Sequence, residues 1–71
     1  MTSAEHEISE HDVVALREPF DNRPAGTVGT AVSDYHRGMF LVEFTDPERE
    51  FLDNIVPVPA DQLVLQQRWP A

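Results

Sequence analysis

Through the middle of the chain, apolar residues recur at every second position, a period of two rather than 3.6. The clearest stretch is 38–45. There Phe40, Val42 and Phe44 point one way and Met39, Leu41 and Glu43 the other, which predicts a strand with one core face. Residues 26–34 place Val28 and Val32 on one face with Thr30 between them, predicting a second strand. Asp34-Tyr35-His36-Arg37-Gly38 joins the two runs, with polar residues and a glycine where the chain must reverse. Residues 26–44 therefore predict one β-hairpin whose inward side chains are Val28, Val32, Phe40, Val42 and Phe44. Gly26 and Gly29 interrupt its first strand, and glycines there mark a bulge, a bend or the close approach of another backbone.

The same alternation places the other elements around this hairpin. Residues 12–18 predict a strand with Val14 and Leu16 on one face, ended by Pro19. Residues 20–25 read as a loop whose Phe20 folds back as a lid on one end of the core. Asp46-Pro47 starts a turn over 46–50. Residues 51–58 then predict a fourth strand, with Leu52, Val56 and Val58 on one face and Phe51 and Ile55 on the other. Asn54 falls on the first, apolar face, which calls for a twist or bulge. Pro57 and Pro59 put the end of this strand at a sheet edge, since proline donates no ladder hydrogen bond. Pro59 opens a single 3₁₀ turn, Leu63 plugs the core, and 64–67 form a short last strand. The whole predicts an all-β fold: a small five-stranded SH3-like barrel with a 3₁₀ turn before the last strand. Residues 1–10 read as a flexible acidic tail with Ile8 its only interior apolar residue of size, 11–67 as the barrel, and 68–71 as a C-terminal tail. Ser9-x-x-Asp12 has the spacing of a helix capping box, but the strand-like Val13-Val14-Ala15-Leu16 that follows argues against a helix.

Composition narrows the function classes. Seventy-one residues allow one domain, and a domain this small is marginally stable. With no cysteine, disulfides and thiolate metal sites are excluded, which fits a reducing compartment. The longest apolar run, Met39-Phe40-Leu41-Val42, is far short of the roughly 20 residues that span a bilayer. The acidic start, MTSAEHEISEHD, lacks the apolar stretch of a secretory signal, and the cytoplasm is the expected location. Thirteen acidic residues face five arginines and no lysine, for a formal charge of −8. Such a field repels nucleic acids and anionic membranes and favours a basic protein partner, or serves solubility.

Asp12-Val13-Val14-x-Leu16, Gly26-Thr27-Val28-Gly29-Thr30-Ala31-Val32, Val42-Glu43-Phe44 and Val58-Pro59-Ala60-Asp61-Gln62-Leu63 together resemble a family of small bacterial proteins known only as a domain of unknown function. The resemblance spans roughly residues 12–65 and implies an SH3-like barrel. The shared positions are glycines and core residues, so they bear on fold more than on activity. The sequence departs from the family at Thr27, where Asp is frequent, and at Ala31, where a bulkier β-branched residue is frequent; neither touches an expected site. Members of such families look like antitoxin or immunity partners of a toxin, which would make this chain a toxin-neutralising protein. The rhythm of residues 26–31 is also similar to that of KOW-type barrels in ribosomal and transcription factors. Here Ala31 stands where valine is expected, and the basic residues such barrels use on RNA are missing.

The densest charge cluster outside the tail is Asp46, Glu48, Glu50 and Asp53. It is the candidate partner-binding surface, since a patch of one sign steers a partner of the other; the alternative is a merely solvated hairpin tip. Phe20 or Tyr35 would add apolar contacts, Phe20 as a residue exposed on its loop in place of the lid. His6, His11 and His36 match no metal-ligand spacing, and Ser3, Ser9 and Ser33 sit in no nucleophile motif, so no metal, cofactor or catalytic residue is assigned. The expectation is a non-enzymatic protein-binding module, most concretely an antitoxin or immunity protein that covers a basic toxin surface such as a nuclease. The alternatives are an accessory domain or small subunit of an enzyme, similar to the barrel of the nitrile hydratase β-subunit, and a KOW-like RNA or ribosome factor.

Overall fold

The structure is a computed structural model that describes residues 8–68. Five antiparallel strands follow one another: β1 (Val13–Leu16), β2 (Val28–Tyr35), β3 (Met39–Phe44), β4 (Ile55–Pro59) and β5 (Leu63–Gln67). The sheet order is β4-β3-β2-β1-β5: strands β1 to β4 meander, and β5 returns to pair with β1. This is the five-stranded SH3-like barrel the sequence predicts, with a 3₁₀ turn at Ala60–Gln62 before the last strand. The proline-bearing β4 lies at one sheet edge, as its missing N–H groups require. Residues 1–7 of the expected N-terminal tail and 69–71 of the C-terminal tail lie outside the described residues.

The core is Ile8, Val14, Leu16, Ala31, Phe40, Val42, Phe44, Val58 and Leu63. Strand β3 buries Phe40, Val42 and Phe44 as its alternation predicts. Strand β2 does not bury the valines. Val28 is 50% exposed and Val32 only half-buried, while Gly29 and Ala31 face inward. Residues directly opposite on paired strands share a face. Gly29 lies opposite Phe44 and Ala31 opposite Val42, so the large side chains of β3 dictate small ones on β2. A register shift between Ala31 and Ser33 leaves Val32 as the extra residue of a bulge. Volume across the ladder, not hydrophobicity along the strand, set the face.

Gly29 shows how tight that fit is. A Cβ there would lie 2.8 Å from Val42 Cγ1, 2.9 Å from Phe44 Cδ1 and 3.0 Å from the Glu43 carbonyl oxygen. Gly→Ala in a strand normally stabilises slightly, by about 0.4–1 kcal/mol through the unfolded chain. Here overpacking of about 1–3 kcal/mol should outweigh that gain. Gly29→Ala is therefore expected to lower the urea midpoint. A variant as stable as the parent would show that β2 and β3 are not in close contact at this point.

Two further expectations are corrected. The fourth strand does not begin at residue 51: Phe51–Asn54 is a 3₁₀ turn and β4 starts at Ile55, so Leu52 is not a core residue. The segment 8–10, assigned to the tail, packs onto the barrel. Ile8 is buried in the core. The Asp12 Oδ2 accepts the Ser9 N–H at 2.9 Å, and the Asp12 N–H donates to the Ser9 carbonyl at 3.1 Å. The Ser9-x-x-Asp12 signature thus closes a turn that swings Ile8 over the core and starts a strand, not a helix.

Candidate functional site

Gly29 at the start of β2 lies opposite Phe44 at the end of β3, so the β1–β2 and β3–β4 connections leave the same end of the barrel. The first carries a miniature hairpin. Phe20 and Arg23 exchange backbone hydrogen bonds, each 2.9 Å, around Asp21 and Asn22. Those two residues have φ of 55° and 61°, the paired positive values of a type I′ reversal, which short Asx side chains tolerate. This turn delivers the Arg23 side chain inward, where it is 3% exposed.

Arg23 is the post on which the second connection hangs. Its Nη1 is ion-paired with the Asp21 carboxylate. Its Nη2 donates to Asn54 Oδ1 at 2.8 Å and to the Asp53 carbonyl at 3.2 Å. Its guanidinium carbon stands 4.4 Å from the Phe44 ring centroid, in cation–π range. Its Nε finds no partner among the described residues. Asn54 is buried and passes the connection on: its Nδ2 donates to the Asp46 carbonyl at 3.0 Å.

Arg49 ties the same two connections at the surface. Its Nη1 reaches Asp21 Oδ2 and its Nη2 the Asp21 carbonyl, both at 3.2 Å, while its Nε lies 3.3 Å from Asp46 Oδ2. Asp46 Oδ1 also accepts the Glu48 N–H at 2.9 Å. Two arginines therefore fix the 46–54 loop against the 20–23 turn, one from beneath and one from the rim.

The six candidate partner-binding residues separate on this frame. Asp46 is half-buried and braces the loop. Glu48, Glu50 and Asp53 are exposed, and among the described residues no hydrogen bond or ion pair engages their carboxylates. Phe20 packs against the core as the expected lid and is not a free apolar contact. Tyr35 is exposed with its ring 4.4 Å from that of His36, but it pairs with Met39 at the far end of β3. The length of β3 puts it about 17 Å from the acidic loop. The acidic residues share one loop, the turn that begins at Phe20 is tied to it, and Tyr35 lies apart.

Sequence reasoning missed Arg23, Arg49, Phe51 and Leu52. The last two, placed in a strand by their apolarity, stand on the loop at 65% and 76% exposure. One signal was present: Asn54 on an otherwise apolar face, next to Asp53, marks where the alternation fails. Beside the loop, a cleft of about 230 Å³ runs between residues 22–28 and 44–46, with Arg23, Val28 and Phe44 among its lining. It has room for a side chain and lies below the ~300–1,000 Å³ usual for small-molecule sites. No helix among the described residues is long and apolar enough to cross a membrane.

The family model described as "Domain of unknown function (DUF4926)" matches residues 10–65. No curated protein and no solved structure gives a significant match.

Proposed function

The chain belongs to the DUF4926 family, and we propose that its SH3-like barrel serves as a non-enzymatic, cytoplasmic protein-binding module. In its most concrete form the protein is an acidic antitoxin or immunity protein that covers the basic surface of a toxin, such as a nuclease. One observation carries the reading. Glu48, Glu50 and Asp53 present carboxylates without partners among the described residues, on a loop that Arg23 and Arg49 hold in place. Charges on a fixed loop reach a partner without a large ordering cost, and they add to a field set by a net charge of −8. Such a field accelerates encounter with a cationic surface and disfavours polyanions. Blocking needs no chemistry from this chain: covering a nuclease's phosphate-binding surface excludes its substrate.

The test is binding to the product of the neighbouring gene, measured by surface plasmon resonance at low and high salt. Association should slow as salt rises, and Glu48→Lys with Glu50→Lys should lower the association rate by about 10-fold or more. Indifference to both would sink the acidic-loop mechanism. Co-purification with an enzyme whose turnover changes would instead support an accessory subunit.

A further inference from the structure

We propose that Phe51 and Leu52 are the apolar anchor of this docking surface, and that the partner receives them in an apolar pocket rimmed by lysine or arginine. The proposal rests on the reading of a basic protein partner and adds what that reading lacks, a source of affinity beyond charge. Single exposed apolar residues are ordinary on a protein surface. Two adjacent bulky ones, 65% and 76% exposed on one 3₁₀ turn, in a chain of 71 residues, are not explained by the fold. They add nothing to the core, whose members are all elsewhere.

The turn is also held in shape. Asn54, the residue that ends it, is buried and hydrogen-bonded on both sides, to Arg23 and to the Asp46 carbonyl. Arg23 further grips the Asp53 carbonyl, and the Asp53 N–H closes on the Glu50 carbonyl at 3.0 Å. A pair of apolar side chains on a braced turn forfeits little conformational freedom on docking, which is how anchor residues dominate an interface.

The charge around the pair selects the occupant. Glu48 and Glu50 precede it, Asp53 follows it, and all three are exposed. A second copy of this chain would bring the same carboxylates and another −8 face to face, so self-association through the pair is disfavoured. An anionic lipid surface is repelled for the same reason. The remaining fit is an apolar hollow with a cationic rim on another protein. In such an arrangement the carboxylates set encounter and register while Phe51 and Leu52 set residence time.

A displayed library of random peptides, panned on the full chain, tests this without knowing the natural partner. The selected peptides are expected to combine aromatic or aliphatic residues with lysine or arginine and to shift amide resonances within residues 48–54. Phe51→Ser with Leu52→Ser should weaken those peptides by about 30-fold or more while leaving the melting temperature unchanged, because both side chains are already in water. Tyr35→Ser should change nothing. Enrichment of no peptide, of peptides without basic residues, or of peptides mapping to another face overturns the proposal, as does dimerisation through the pair in sedimentation. If reversing Glu48 and Glu50 weakens binding but the double serine variant does not, the anchor fails and the acidic docking surface stands. If neither matters, both fail.

Discussion

Phe44→Ala is expected to lower the unfolding free energy by about 3–5 kcal/mol. Phe44 closes the inward face of β3 at 2% exposure, lies opposite Gly29, and supports the Arg23 guanidinium on its ring. Deleting the ring removes its transfer energy, leaves a void that Gly29 cannot fill, and takes away the cation–π contact. A chain of this length has roughly 4–10 kcal/mol of stability in total, so the substitution removes from about a third to all of it, and the urea midpoint should fall by a matching fraction. The matched control is Phe51→Ala, the same substitution at 65% exposure, which should stay within about 0.5 kcal/mol of the parent. Urea denaturation of the two variants side by side decides the matter. Similar losses at both positions would mean that Phe51 is not the surface residue described above, and the anchor proposal would fall with it.

How far the sequence reaches is clearest by comparing β3 with β2. On β3 the set Phe40, Val42 and Phe44 is apolar throughout while the set Met39, Leu41 and Glu43 ends in a charge, which leaves one reading, and its buried face is as predicted. On β2 the alternation offers Val28 and Val32 against Gly29 and Ala31, and hydrophobicity along the strand favours the valines. The decision is made across the ladder by the bulk of Phe44 and Val42, which depends on register, and register depends on the bulge at Val32. No single-strand pattern carries that information. Fold class survived because it needs only the number, length and spacing of strands, together with the prolines that mark β4 as an edge. Ile8 was lost to the tail for a related reason: one apolar residue in a polar run has no period, and only the Ser9–Asp12 turn brings it to the core.

The candidate site was partly legible. Its charges were visible because charge needs no partner to be noticed: Glu48, Glu50 and Asp53 are exposed as a turn-forming acidic run implies. Their support was not. Arg23 and Arg49 lie 30 and 4 residues from Asp53 in the chain, and nothing local distinguishes them from the solvated Arg37. Burial of a guanidinium follows from the I′ turn at Asp21 and Asn22, and that turn could be read only as a loop. Phe51 and Leu52 mislead in the opposite sense, since apolar residues are presumed to be inside and the exceptions carry the functional meaning.

Arg23→Ala is the second large effect, with an expected loss of about 2–4 kcal/mol. The terms are the buried Asn54 Oδ1 left without its donor, the contact over the Phe44 ring, and the packing of the side-chain stem. The sum is moderated by a cost the parent already bears: the Arg23 Nε is buried without a partner among the described residues, and that penalty disappears with the side chain. Asp21 is not stranded, because its carboxylate is partly in water and keeps Arg49. Arg49→Ala is the informative counterpart. It touches the same two connections through as many bonds but at the surface, where ion pairs contribute at most about 1 kcal/mol. Urea midpoints should therefore separate the two arginines clearly, and amide hydrogen exchange should show the 46–54 loop opening in the Arg23 variant at denaturant-free conditions. An Arg49→Ala loss equal to or larger than that of Arg23→Ala would place the brace of the loop at its rim. The consequence for binding follows from the same geometry. Arg23→Ala leaves every exposed carboxylate and both anchor side chains in place, so any affinity it costs in a folded sample measures the value of holding the loop still.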